Sequence, residues 1–422
     1  MLPDSPPPED GAPPDMVASG TVNITTMARC CTVAPNTPAP NILVVGINTD
    51  GSVVTATSGA NGTAQLMLRE GASVSAVYPE DANSDNDVRT YVGVKPGDNL
   101  TFGDAYYTTT PVPGVSGQMT VNWAAAPGAV NYGVLSPCAN AGTNGLTLTI
   151  QLYPSCQAPT MPLLIVAYDA NYDAVGSVYL PTAAGTDGAT VDIAAGQWVT
   201  QATGNVSVSI SGLDPVVRDA YVRAYAPYAS LTFQASVGSV APVGGVASAS
   251  LSVPTTAPSI YARIELVRNG NYGSQYFYKA GPAPIGTQHT NLPWIDGPAL
   301  VSYQQRRAVW FETTGTYDAA VLALNWSRSD GKNTRYFNWT IILPPNVGDF
   351  RFPEPPAQLA EFLPEAKDYI GHYLTLVDLS SAASYDAARA LPEWRLTNVE
   401  SAVANGDEPN AAVSADDGGF GK

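Results

Sequence analysis

The runs Leu322-Ala323-Leu324-Asn325-Trp326-Ser327-Arg328 and Arg335-Tyr336-Phe337-Asn338-Trp339-Thr340-Ile341, joined through Ser329-Asp330-Gly331-Lys332, carry the clearest structural signal in the chain. Leu322, Leu324 and Trp326 alternate with Ala323, Asn325 and Ser327, the two-residue period of a strand whose side chains point to opposite faces. Asp-Gly between two such runs marks a hairpin, because glycine takes the positive φ of a tight turn. Phe337, Trp339 and Ile341 then share the face of the leucines, so the hairpin is expected to have one buried face and one wet face.

The same pattern recurs in both directions from this hairpin. Toward the N-terminus, Ile260-Tyr261-Ala262-Arg263-Ile264-Glu265-Leu266-Val267 pairs with Gln275-Tyr276-Phe277-Tyr278 across Asn269-Gly270, and short alternating runs continue back to Ser19. Charged residues are 13% of the 422, about half the usual share, while Gly (38), Pro (36) and Tyr (22) are abundant. Many short strands joined by turns produce that composition. Helix is expected only late, at 357–363 and at 384–391, the latter with Ser384 as N-cap and Pro392 as terminator. Residues 373–377 between them read as strand. The fold class is therefore all-β, with tandem antiparallel β-sandwich domains and a few short helices near the C-terminus.

Residues 1–17 read as a proline- and acid-rich tether, 18–104 as a first sandwich, and 105–284 as one large sandwich or two packed β units. Residues 285–397 read as a β-rich module with short helices, and 398–422 as an acidic, partly disordered tail. The tether shows neither a basic n-region nor an apolar h-region, so it is not a signal peptide. It suits the spacer that follows a removed export signal or lipidated cysteine; a plain cytosolic tail is the alternative.

Lys and Arg number 19 against 36 Asp and Glu, a formal net charge of -17. Phosphate backbones and anionic leaflets are repelled, which excludes nucleic acid as a partner and leaves a lipid anchor as the one membrane link. Cys138 and Cys156 lie 18 positions apart around a strand-like run, and a bridge there closes a loop worth on the order of 3 kcal/mol. Such a bridge belongs to an exported protein. The adjacent Cys30 and Cys31 suit a vicinal disulfide, two buried thiols or other partners.

Gly20-Thr21-Val22, the Asp50-Gly51 turn, Gly62-Thr63-Ala64-Gln65-Leu66 and Gly71-Ala72-Ser73-Val74-Ser75-Ala76 resemble the carboxypeptidase regulatory-like, or transthyretin-like, sandwich. A Cys- and Pro-bearing insertion at 28–37 departs from it. The resemblance implies a non-catalytic module of a bacterial envelope or secreted protein, in the periplasm or on the outer surface. Met119-Thr120-Val121-Asn122-Trp123 and Asn131-Tyr132-Gly133-Val134, around Pro127-Gly128-Ala129, are similar to the opening of a fibronectin type III sandwich.

Asp81, Asn83, Asp85 and Asp87 place oxygen ligands at alternate positions, the pattern that converges on a hard cation such as calcium. Val92 stands where an EF-hand has its bidentate Glu, and a polar crossover loop explains the same residues. Asp169-Ala170-Asn171-Tyr172-Asp173 repeats the spacing, where a hairpin turn is the simpler account. The two histidines, His289 and His372, lack a Gly-x-Ser-x-Gly elbow or a His-Glu-x-x-His helix. His372, beside Tyr369 and Tyr373, reads as a surface or core-edge residue. Tyrosines at 106–107, 221, 225, 228 and 272–278 would stack on sugars if exposed.

The expected function is non-enzymatic: binding, adhesion or surface structure, with a protein or glycan partner at the cell surface. A carbohydrate-binding or carbohydrate-processing accessory protein, or an appendage subunit, is the alternative. The metal reading is checked by thermal melting. Calcium against EDTA raises Tm if the 81–87 run holds the ion, and leaves Tm unchanged, with Asp85→Ala silent, if the run is a polar loop.

Overall fold

The computed structural model describes residues 19–28, 37–79, 85–103, 116–153, 156, 158–268, 273–297, 299–329, 333–354, 356–365, 367–416 and 418–421. The Cys30 and Cys31 pairing, Asp81, Asn83, Tyr106, Tyr107 and Tyr272 lie outside them. The first strands are β1 (Gly20–Thr26), β2 (Leu43–Ile47), β3 (Val53–Thr57), β4 (Thr63–Leu68), β5 (Ala72–Tyr78), β6 (Asn86–Val94) and β7 (Asn99–Phe102). They form one sheet ordered β4-β1-β7 and another ordered β3-β2-β5-β6. The expected Asp50-Gly51 turn is present, with Gly51 at φ 82° and the Asp50 carboxylate accepting from the Ser52 amide at 2.9 Å.

This order then repeats. The next strands are β8 (Gly117–Trp123), β9 (Asn131–Ser136), β10 (Ala139–Thr143), β11 (Thr147–Leu152), β12 (Thr160–Tyr168), β13 (Ala174–Ala184), β14 (Thr190–Ile193) and β15 (Val199–Thr200). They pair as β11-β8-β14 and β10-β9-β12-β13-β15. A third set follows: β16 (Val206–Ser211), β17 (Val217–Tyr228), β18 (Leu231–Val240), β19 (Val246–Leu251), β20 (Tyr261–Arg268), β21 (Ser274–Ala280) and β22 (Ile285–Gln288). It pairs as β19-β16-β22 and β18-β17-β20-β21. In all three sets the first strand is antiparallel to the fourth and parallel to the seventh. These parallel pairs depart from a purely antiparallel expectation. Residues 105–284, left open between one sandwich and two, thus carry two strand sets except for β22, which falls just past 284.

The last strands are β23 (Leu300–Ser302), β24 (Arg307–Val309), β25 (Ala319–Ser329), β26 (Thr334–Leu343), β27 (Asp349–Arg351), β28 (Ile370–Leu379), β29 (Asn410–Ala415) and β30 (Gly419–Gly421). Their order β26-β25-β28-β29 repeats the third-second-fifth-sixth arrangement, and β24 pairs antiparallel with β27 as first with fourth. Here β23 takes the seventh strand's place, and the connection between β28 and β29 holds α1 (Tyr385–Arg389), α2 (Trp394–Thr397) and α3 (Val399–Ala404). Ser384 caps α1, its hydroxyl accepting from the Ala387 amide at 3.3 Å, as its position before a helical run predicts. The 357–363 candidate is a single 3-10 turn at Ala360–Phe362.

The sandwiches are not separate beads. Among the described residues a thirteen-stranded sheet runs β18-β17-β20-β21-β29-β28-β25-β26-β6-β5-β2-β3, with β30 on β28. The join between the first and last sets is parallel, Phe337 opposite Asn86 and Trp339 opposite Val88. The join between the third and last is antiparallel, Tyr276 opposite Val413. An unpaired strand edge exposes a row of unsatisfied amides and carbonyls. The sixth strand ends each three-set sheet, and in each case it is covered: β6 by β26, β21 by β29, and β13 by β15.

One face of this sheet packs on β19-β16-β22 and β23-β24-β27 through a continuous core that includes Val45, Val88, Val208, Ile264, Leu322, Leu324, Trp326, Phe337 and Trp339. Leu164 and Val166 of the second set join it, with Tyr179 against Tyr228 at 4.7 Å between ring centroids. The other face packs on β4-β1-β7 and on the three helices, burying Val44, Val74, Tyr91, Val321, Ile342, Leu396 and Val399. It is called the helix face below.

Two expectations are corrected by this arrangement. The β25–β26 hairpin has the expected register, Leu324 opposite Trp339 and Trp326 opposite Phe337, but its second face is wet only toward the tip; Val321 and Ile342 near its base are buried beneath the helices. Residues 410–415 are no tail. They form β29 between β21 and β28, and Ala411 to Ser414 show no alternation because both faces are covered.

The helices act as a clamp. Arg389, 1% exposed, donates from Nη2 to Asp98 Oδ1 at 3.1 Å and from Nη1 to the Gly93 carbonyl at 3.0 Å, both in the first set. The Tyr385 hydroxyl donates to the Val92 carbonyl at 2.7 Å, and burial pushes that phenol up. On the other side, Glu400 of α3 accepts from Arg263 at 3.1 Å and from the Tyr261 hydroxyl at 3.2 Å, in the third set. Arg389→Ala leaves Asp98 without its buried cation and is expected to cost roughly 3–5 kcal/mol, read as a lowered urea midpoint.

Candidate functional site

Beyond the helices, the helix face of β25, β26 and β28 opens to solvent. Ser327 lies opposite Tyr336, Asn325 between Asn338 and Gly371, and Ala323 between Thr340 and Tyr373. Paired residues share a face, so these rows form one surface. Tyr369, two residues ahead of Gly371, extends the row of Tyr336 and Ser327 by the same alternation. The three tyrosines are 55%, 58% and 54% exposed in chain order. Gly371 keeps the floor open, since a Cβ there would come within 2.5 Å of Asn325 Oδ1.

The stretch that the sequence marks for calcium borders this surface. The Asn338 amide donates to Asp85 Oδ2 at 3.5 Å. Asp87 lies opposite Asn338 in β6 and is buried, its carboxylate accepting from Arg89 Nε at 2.7 Å. Asn86 donates to the Tyr336 carbonyl and accepts from Arg335, each at 3.2 Å. Trp339 Nε1 donates to Thr90 at 2.9 Å. Asp85, Asn86 and Thr90 therefore help weld the first set to the last, and Asp87 answers a cation of the protein's own. Among the described residues, three or more His, Cys, Asp or Glu side chains nowhere converge as metal ligands do.

Other expectations resolve individually. Cys138 and Cys156 form the disulfide, Cα to Cα 5.2 Å. Asp169 and Asp173 close the β12–β13 hairpin, Asp169 Oδ1 accepting from the amides of Asn171 and Asp173 at 2.8 and 3.0 Å. Trp123 and Tyr132 sit on facing sheets of the second set, centroids 5.4 Å apart in its core. His289 accepts from or donates to Gln275 at 2.9 Å, and burial pushes its pKa down.

His372 corrects the surface reading: it is 2% exposed and donates from Nε2 to the Ala299 carbonyl at 2.6 Å. Its neighbours Tyr369 and Tyr373 point the other way, as alternation requires. Of the tyrosines marked for stacking on sugars, Tyr225, Tyr228 and Tyr278 are buried and Tyr221 and Tyr276 half-buried. Tyr225 stacks on Tyr261 at 4.7 Å, and Arg263 sits 4.7 Å over Tyr276.

A groove of about 740 Å³ runs between β22 and the β28–β29 pair, lined by Lys279, Gln288, Thr290, Asp378, Ser380 and Asn410 among others. Burial raises the pKa of Asp378, opposed by a hydrogen bond with Thr290 and reinforced by Glu408. Nearby Asp318 accepts from the Leu379 amide at 2.8 Å, yet burial first, with Asp378 and Glu408 adding, pushes its pKa up to about 6.

No family model matches the chain, and no curated protein matches it in sequence. Among solved structures it is similar to the Bacillus anthracis TIE protein at 12% identity, covering 64% of this chain and 50% of that one, with a TM-score of 0.16. A leucine-rich repeat protein from Bacteroides thetaiotaomicron matches at 13% identity, over 42% of this chain and 26% of that one, TM-score 0.15. A tetra-tandem repeat from the extending region of a large adhesion protein matches at 13% identity, over 85% of this chain and 95% of that one, TM-score 0.13. The chain thus spans half the length of the TIE protein. At these scores the likenesses carry no argument about function.

Asp318 supplies a pH test. Its folded pKa is raised above the ordinary 3.8, to about 6, so its contribution to stability is full below about pH 4 and is lost as pH rises through 6. Asp318→Asn is expected to be more stable than wild type at pH 7.5, by on the order of 3 kcal/mol, and equal to it near pH 4 in urea titrations.

Proposed function

We propose that this chain is a non-enzymatic, extracytoplasmic protein of a bacterial cell surface, acting by binding, adhesion or as surface structure. The observation that carries the reading is the joined sheet with its helix clamp, which holds repeated sandwiches as one stiff body and presents one open face. The Cys138–Cys156 bridge favours an oxidising compartment. The open face offers amides, hydroxyls and phenols, groups that hydrogen-bond and stack without shuttling protons at neutral pH. The carboxypeptidase regulatory-like resemblance of the first set supports the same compartment, with residues 1–17 as a tether behind a lipid anchor. Calcium held by Asp81, Asn83, Asp85 and Asp87 would have to compete with Arg89 for the Asp87 carboxylate.

Fractionation of expressing cells, with alkylation of free thiols before lysis, is expected to find the chain in the envelope or medium with Cys138 and Cys156 protected. Incubation with plant and bacterial polysaccharides is expected to release no reducing ends. A cytosolic, fully alkylated chain would sink the compartment, and sugar release would sink the non-enzymatic reading.

A further inference from the structure

We propose that the face framed by Tyr336, Tyr369 and Tyr373 binds a neutral oligosaccharide chain. This rests on the surface-binding reading and names its partner class. A folded protein seldom leaves clustered aromatic rings half in water without a use for them. Tyr336 lies opposite Ser327, and Tyr369, one residue ahead of β28, continues the β25–β28 register on the other side, two strand spacings or roughly 10 Å from Tyr336. Tyr373 lies four residues beyond Tyr369, roughly 13 Å along the strand direction. Rings at such intervals on a flat surface match a run of two or three sugar units, whose C–H faces stack on aromatics while their rims of hydroxyls seek polar partners.

Those partners occupy the floor. Ser327, Asn325, Asn338 and Thr340 lie between the rings, and only Ala323 and Gly371 interrupt them. Amides both donate and accept, which suits hydroxyls better than any other ligand group. The Asn325 amide has no hydrogen-bond partner among the described residues. A protein partner would favour an apolar centre, and the aliphatic side chains that make one are on the buried side of these strands.

Charge selects against acidic glycans. Asp85 is exposed at the rim, and among the described residues Arg335 is paired with Glu361 at 3.0 Å, Lys367 with Glu365 at 2.9 Å and Arg89 with Asp87. The net charge of -17 adds a general repulsion of polyanions.

The test titrates the full chain by calorimetry against cellohexaose, xylohexaose, mannohexaose and maltohexaose, with polygalacturonate as the acidic arm. At least one neutral hexaose is expected to bind. Tyr336→Ala and Tyr373→Ala should each weaken it about tenfold, while the phenylalanine variants stay within about threefold of wild type, because the ring does the stacking. Tyr153→Ala, removing an exposed tyrosine elsewhere, should change nothing. Hexaose binding that survives both alanine variants overturns the site, and tighter binding of polygalacturonate overturns the charge argument. Failure of every neutral sugar, with the chain still in the envelope, overturns the glycan proposal and leaves the surface reading standing; a cytosolic chain overturns the surface reading itself.

Discussion

The architecture depends on one constraint: the outer edge of each sixth strand must find hydrogen-bond partners. A lone sandwich with an open sixth-strand edge invites strand addition from other molecules. The chain meets this three times with its own strands. The second set uses a two-residue strand, β15, while the first and third borrow long strands from the last set. That borrowing turns repeated sandwiches into one sheet, and the last set is its keystone because β26 and β29 are the strands that pair outward.

The clamp follows from the join. Pairing β6 with β26 places the first set's small sheet and the fourth set's helical insertion side by side on one face of the sheet. A buried guanidinium is a poor source of net stability, since its desolvation offsets much of the Coulomb gain. What Arg389 supplies is specificity: its five donors fit Asp98 and the Gly93 carbonyl in one relative placement of helix and sandwich. Bulk adhesion between these parts comes from the apolar residues around it, Tyr91, Ala388, Leu396 and Val399.

The 85–90 segment shows a polar run taken up by the seam between two strand sets. Asp85 to Asp87 form an unusual polar run in a charge-poor chain, and the structure uses part of it as the seam with β26, some 250 residues away in sequence. The recurrence at 169–173 has a plain cause. Asp81-Ala82-Asn83-Ser84-Asp85, Asp169-Ala170-Asn171-Tyr172-Asp173 and Asn269-Gly270-Asn271-Tyr272-Gly273 each lie between a fifth and a sixth strand. Aligned on this loop, the sequence does carry the repeat, through the alternating strands that flank it. That Tyr369 and Tyr373 face away from His372 was readable, because neighbours on a strand cannot share a face, though not which of the two faces would be covered.

By itself the sequence determined what local chemistry determines. Alternation set the strands and the hairpin register, Ser384 set a helix start, glycine set the Asp50-Gly51 turn, and the spacing of Cys138 and Cys156 allowed their bridge. Tertiary structure decided what depends on partners distant in the chain: the parallel β6–β26 join, the burial of β29, and which tyrosines reach solvent. Alternation states that two faces differ without stating what will cover each one. Tyr225 and Tyr278 are buried in the core that the sheet shares with α3, whereas Tyr336 and Tyr373 stand beyond the helices and stay more than half exposed, Tyr373 with Gly418 against its ring.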